Sequence, residues 1–236
     1  MKVVWFLMFA CSIVRAESLD NVVVAFNQSN YPFSYSDDGA PIGLYSKIVH
    51  DVFSEAGVQV EGVALPWRRI VQRGRQDGLV VAGVHADSLG NAYQYSDPIF
   101  YEKIYLYAFD ELISSNVGAP LGVNLRNYTE VVAEKFGVDV IDCVDGYSCF
   151  RMLKSGRLGA VLTSETVFKA VSKYAMLSDE IKSVGDFSEV AAVRVAFPRS
   201  GRYEEVYKKF NEVLVRKKSS GYIEDIQEKF VSELYY

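Results

Sequence analysis

Few side chains in this sequence have the type and spacing for covalent or metal chemistry. The only two histidines, His50 and His85, are far apart and have no cysteine nearby, so no familiar zinc spacing is present. Cys143 and Cys149 stand six positions apart. That spacing excludes a C-x-x-C redox site and leaves two alternatives: a disulfide in an oxidising compartment, or a pair of buried thiols. Residues suited to binding are more plentiful. The 16 Tyr and 14 Phe offer rings that fill a core or stack on a guest. Arg69 falls in the first turn of an expected helix, where a cation opposes the helix dipole. Arg126, Asn127 and Tyr128 lie between an expected strand and a helix start, where free N–H groups favour anions.

The elements that must position these residues are legible from hydropathy. Val22 to Phe26 is an apolar run closed by the polar segment Asn27 to Asn30. Asp37-Asp38-Gly39 marks a tight turn. From Ser46 to Ala56 the apolar residues Ile48, Val49, Val52, Phe53 and Ala56 share one helical face, and Gly57 is placed to end it. A strand is expected over Val58 to Leu65, a short helix over Trp67 to Arg73 stopping at Gly74, and a strand over Gly78 to Val84. Alternating apolar strands and helices predict a mostly parallel, covered sheet.

A long β-like run, Tyr101 to Phe109, and the segment Ser114 to Gly118 then form a crossing. The pattern restarts with strands at Leu121 to Val123, Val138 to Ile141 and Leu158 to Leu162. Helices are expected from Asn127, as a capping box, through Phe136, over Tyr147 to Lys154 and over Ser164 to Lys173. Glu189 to Phe197 is a second crossing, and helices over Arg202 to Lys217 and Ser220 to Glu233 finish the chain. The organisation is therefore two βα blocks joined by two crossings, an α/β fold.

The 236 residues are 50% hydrophobic and 23% charged, an ordinary globular composition. The net charge of −5, without any block of Lys and Arg, argues against nucleic acid as a partner. No apolar run is long enough to span a bilayer, and no cofactor or metal site is implied. Met1-Lys2, the apolar stretch Val3 to Val14 and Val14-Arg15-Ala16 have the pattern of a signal peptide, residues 1–16. A lipoprotein cleavage before Cys11 is the alternative. Export to the periplasm is the expectation, which favours the Cys143–Cys149 disulfide over free thiols.

Six ordered landmarks carry a resemblance to the family 3 solute-binding proteins of bacterial ABC transporters. Asn30-Tyr31-Pro32-Phe33 is similar to the family's Tyr-Pro-Pro-Phe, and Gly43-Leu44-Tyr45 to its Gly-Phe-Asp. Pro66-Trp67 matches a Pro-Trp after the second strand. Tyr95-Ser96-Asp97-Pro98 resembles Phe-Ser-Asp-Pro, and Ser155-Gly156-Arg157-Leu158-Gly159 resembles Gly-Arg-x-Asp. Ser220-Gly221-Tyr222 to Phe230 is similar to the C-terminal helix. The resemblance implies a two-lobed, type II periplasmic-binding-protein-like fold with two hinge crossings. Residues 17–108 plus 195–236 would form one lobe and 109–194 the other, closing on a small molecule. A monomer and an ABC permease as partner are expected.

The same resemblance assigns the pocket. Tyr31 and Phe33 would form one aromatic wall and Trp67 the opposite one, with Arg69 and His85 beside them. Arg126, Asn127 and Tyr128 would meet a ligand carboxylate from the second lobe. Two departures stand out. Where amino-acid binders of the family place an arginine, seven residues before Ser96, this chain has Leu89. Where they place an aspartate, five residues after Gly159, it has Ser164, with Glu165 beside it. A zwitterion buried without counter-charges is costly, so an ordinary α-amino acid is not the expected ligand. Two other functions suit the same scaffold. One is an enzyme similar to the cyclohexadienyl dehydratases, with Glu165 or His85 as acid or base. The other is a sensor acting through a partner.

Overall fold

The computed structural model describes residues 21–85, 89–109, 119–123, 129–174 and 180–234. The expected signal peptide and the crossing segment Ser114 to Gly118 lie outside the described residues.

The chain opens with strand β1 (Val22–Asn27), a small hairpin sheet of β2 (Ser29–Asn30), β3 (Ser34–Asp37) and β4 (Ala40–Ile42), and helix α1 (Leu44–Glu55). The expected turn at Asp37 to Gly39 closes this hairpin, with Asp38 and Gly39 both at positive φ as a two-residue loop requires. Helix α1 buries the predicted face, and Gly57 and Val58 donate to Ser54 and Phe53 carbonyls to close its end.

Next come β5 (Val60–Leu65), α2 (Trp67–Asp77), β6 (Val80–Val84), β7 (Tyr93–Tyr95) and β8 (Phe100–Phe109). Helix α2 runs past Gly74, the expected stop, and ends at Gly78 in the left-handed conformation. Gly74 serves packing instead: a Cβ there would meet the Tyr93 hydroxyl at 2.6 Å.

The second block contains β9 (Leu121–Val123), α3 (Thr129–Phe136), β10 (Val140–Asp142), α4 (Gly146–Lys154), β11 (Ala160–Ser164) and α5 (Glu165–Tyr174). A long strand β12 (Ile181–Pro198) and helices α6 (Gly201–Ser219) and α7 (Tyr222–Leu234) complete the described elements.

The large sheet has the order β10-β9-β11-β8-β12-β6-β1-β5. Strands β1, β5 and β6 run parallel to one another, as do β9, β10 and β11. Between these triplets lie β8 and β12, antiparallel to each other and to their flanking neighbours. The parallel sheet read from hydropathy is thus two parallel halves separated by an antiparallel pair. Each strand of that pair passes from one half to the other, in opposite directions, which forces the antiparallel register. These are the two hinge crossings of a two-lobed, type II periplasmic-binding-protein-like fold.

In each half the first strand is central, with its two successors on opposite sides. The crossover direction therefore reverses at β1 and at β9, and such reversal points open a crevice at the strand C-termini. Helix α6 packs on α1 through Phe53 and Phe210, whose rings are 4.8 Å apart. Cys143 and Cys149 form a disulfide that ties the end of β10 to α4.

Candidate ligand cleft

The crevice is bounded by the segments that leave β1, β6, β10 and β11. A cavity of about 750 Å³ lies on one flank of it. Ser29, Tyr31 and Tyr35 line one side; Asp145, Tyr147 and Val171 line the other; Phe230 and Glu233 of α7 complete it. Tyr31 and Tyr35 meet edge-on with centroids 5.0 Å apart. Asp145 caps α4: its Oδ1 accepts from the Ser148 N–H at 2.7 Å, and the Ser148 hydroxyl accepts from the Asp145 N–H. The lining named here is aromatic and acidic, with no lysine or arginine among its described members.

The structure distributes the expected pocket residues unequally. Tyr31 lines the cavity. Phe33 does not face it: the ring is 1% exposed and is stacked on Tyr45 at 4.9 Å, with Phe100 at 6.1 Å. Trp67 is half-buried against the cluster built on Ala25, Ile70 and Val81, where Leu89 also packs. Arg69 is exposed at the start of α2. His85, at the end of β6, is largely enclosed. Desolvation lowers its pKa, opposed by its hydrogen bond to the Ala192 main chain, so the ring is neutral at pH 7. Arg126, Asn127 and Tyr128 lie outside the described residues. Ser164 is fully buried, and its Oγ accepts from the Val167 N–H at 3.2 Å, as a helix cap does. Glu165 pairs with Lys169 at 2.5 Å, one turn on.

One residue that hydropathy did not single out stands on the crossing pair between the two halves. Glu102, on crossing strand β8, is 4% exposed. The Tyr45 hydroxyl, from α1, donates to its Oε1, and Asn30, at the end of β2 next to Tyr31, hydrogen-bonds to Tyr45. Burial pushes the Glu102 carboxyl up to about 7, while the Tyr45 and Ser164 hydroxyls act in the opposite direction. Oε2 has no hydrogen-bond partner among the described residues. A signal for this residue does exist in the sequence. Side chains alternate along a strand, and Glu102 shares parity with Phe100 and Ile104, both buried, whereas Tyr101 and Lys103 are exposed.

Two lobes hinged on two strands, with a crevice where their strand C-termini converge, define a ligand-clamping protein. The model of the bacterial extracellular solute-binding proteins, family 3, matches residues 22–233, and the chain belongs to that family. No curated protein matches it. Solved structures share the architecture. A periplasmic His/Glu/Gln/Arg/opine family-binding protein from Silicibacter pomeroyi, in complex with lysine, superposes with a TM-score of 0.77 at 15% identity, covering 90% of this chain and 98% of that one. A histidine kinase sensor domain with similarity to periplasmic binding proteins gives 0.75 at 14% identity, covering 89% and 95%. An ancestral amino acid-binding protein, a precursor of cyclohexadienyl dehydratase, gives 0.71 at 19% identity, covering 89% and 95%. At these identities the likeness establishes the fold.

Proposed function

We propose that this chain is a periplasmic solute-binding protein, exported by residues 1–16. It captures a small polar or organic molecule between lobe 17–108 plus 195–236 and lobe 109–194, for an ABC-type transporter. The observation that carries the reading is the aromatic-walled cavity on the flank of the hinged crevice. Its volume lies in the ordinary range for small-molecule sites, roughly 300–1,000 Å³. Closure about β8 and β12 expels water and strengthens each polar contact inside.

An ordinary α-amino acid is not the ligand in this reading. Leu89 packs in an apolar cluster and offers only its main-chain N–H, which donates to the Tyr95 hydroxyl at 3.0 Å. Ser164 carries no charge: its Oγ accepts from the Val167 N–H to cap α5, and its hydroxyl acts on Glu102. Neither position supplies the charge that pairs a zwitterion. A thermal-shift screen of the mature protein against amino acids, polyamines, sugars and organic acids tests capture, since a ligand of the folded state raises Tm. A screen in which no solute shifts Tm contradicts it; strong shifts with common α-amino acids contradict the specificity alone.

One observation favours an enzyme on the same scaffold: Glu102 is an acid whose pKa of about 7 suits proton transfer at neutral pH. Turnover of prephenate or arogenate, lost in Glu102→Gln, would establish that reading in place of pure capture.

A further inference from the structure

We propose that Glu102 is the anionic seat of the cleft, and that the captured solute carries a cationic nitrogen, an ammonium or guanidinium group, that pairs with Glu102 Oε2. This deepens the capture reading and rests on it.

The argument begins with what surrounds the carboxylate. On β8 the inward positions on either side are Phe100 and Ile104, so the strand face around this place is apolar. The chain holds a carboxylate there instead: the Tyr45 hydroxyl donates to Oε1, the Ser164 hydroxyl also acts on the carboxyl, and Oε2 itself has no partner of good geometry among the described residues. A buried acceptor without a partner costs about 1–3 kcal/mol, more for a charged group. Such a cost is kept where a partner arrives from outside.

No cation within the described protein plays that part. The groups that act on Glu102 are the hydroxyls of Tyr45 from α1 and Ser164 from β11. Ala191 pairs with it from β12 and brings no charge. The carboxylate also lies where the lobes meet, held from one half by Tyr45 and bordered from the other by Ser164. Asn30, bonded to Tyr45, is next to Tyr31, which lines the cavity.

The flank cavity points to the same chemistry. Tyr31, Tyr35, Tyr147 and Phe230 contribute rings, with the Arg151 guanidinium 5.8 Å from the Tyr147 centroid, and Asp145 and Glu233 contribute carboxylates, the first capping α4 and the second 4.0 Å from Lys229 Nζ. Ring faces and acidic groups attract cations and repel anions.

Binding then has a proton signature. With its carboxyl at about 7, free Glu102 is half protonated at pH 7. Pairing with a cation needs the carboxylate, so the O–H bond breaks and the proton passes to water. About half a proton is released per cation bound at pH 7, and none above about pH 9.

The test uses the mature chain, with agmatine and putrescine as cationic probes and succinate and glucose as controls. Thermal shift ranks the probes, and calorimetry at pH 7 in two buffers of different ionisation enthalpy counts protons. The expected results are a Tm rise with a cationic probe, release of about half a proton, and affinity reduced about 10- to 100-fold in Glu102→Gln, the loss of one charged hydrogen bond. Tyr45→Phe should weaken binding less, because the carboxylate remains. Equal affinity in Glu102→Gln, or shifts with succinate or glucose alone, would each overturn the assignment. Those outcomes leave capture itself standing, whereas silence across the whole solute screen removes both.

Discussion

Without ligand, Glu102→Gln should make the protein more stable at pH 8 and change little at pH 5. A carboxyl whose pKa is higher in the folded than in the unfolded state binds protons preferentially when folded. Its contribution to stability therefore falls as pH rises through the unfolded value and levels off above the folded one. Here the pKa moves from 4.5 to about 7. At 1.36 kcal/mol per pH unit, keeping this group ionised and buried at pH 8 costs on the order of 3 kcal/mol.

Glutamine keeps an oxygen for the Tyr45 hydroxyl but loses charge assistance, which returns about 1 kcal/mol. The net gain is about 2 kcal/mol, or about 4–8 °C in Tm for a chain of this length. Differential scanning calorimetry of both proteins at pH 5 and pH 8 measures it. The difference should open between about pH 4.5 and 7, the window set by the two values. A Tm difference that does not depend on pH, or a variant less stable at pH 8 than the parent, would refute the claim that Glu102 is held without adequate partners.

Two further perturbations probe the frame around it. Gly83 has φ of 71°, and a Cβ there would sit 2.2 Å from the Tyr45 ring. That ring is fixed by Phe33, Phe100 and Glu102, so Gly83→Ala should cost about 2–5 kcal/mol from backbone strain and overpacking; a melting temperature within about 1 °C of the parent (roughly 0.5 kcal/mol or less) would show that the ring moves freely. The Cys143–Cys149 bond closes a short loop worth about 2 kcal/mol. Cys143→Ser should lower Tm by several degrees, and reductant should lower that of the parent but not of the variant; two alkylatable thiols in unreduced protein would contradict the pairing.

Local order was written plainly in the residues. The apolar run Val22 to Phe26 and the one-sided face of Ile48, Val49, Val52 and Phe53 name their own elements, because burial needs follow the period of each backbone. The two βα blocks and their crossings follow from the same patterns. Spacing brought the cysteines within reach, but only the fold shows them joined. Gly74 misled because a glycine inside a helix reads as a stop, while its real cause, the Tyr93 hydroxyl, lies 19 positions further along.

The site was less legible for the same reason. Phe33 and Tyr31 are two residues apart and both aromatic, yet one is locked between Tyr45 and Phe100 and the other faces the cavity. Glu102 shares parity with Phe100 and Ile104, but next to Lys103 it could equally mark an exposed strand end. Its character comes from Tyr45, 57 positions earlier, and Ser164, in the other half of the sheet. Periodicity reports which side of an element turns inward. What waits there is set by side chains remote in the chain, and electrostatic character depends on that company and on the exclusion of water, so it belongs to the assembled lobes alone.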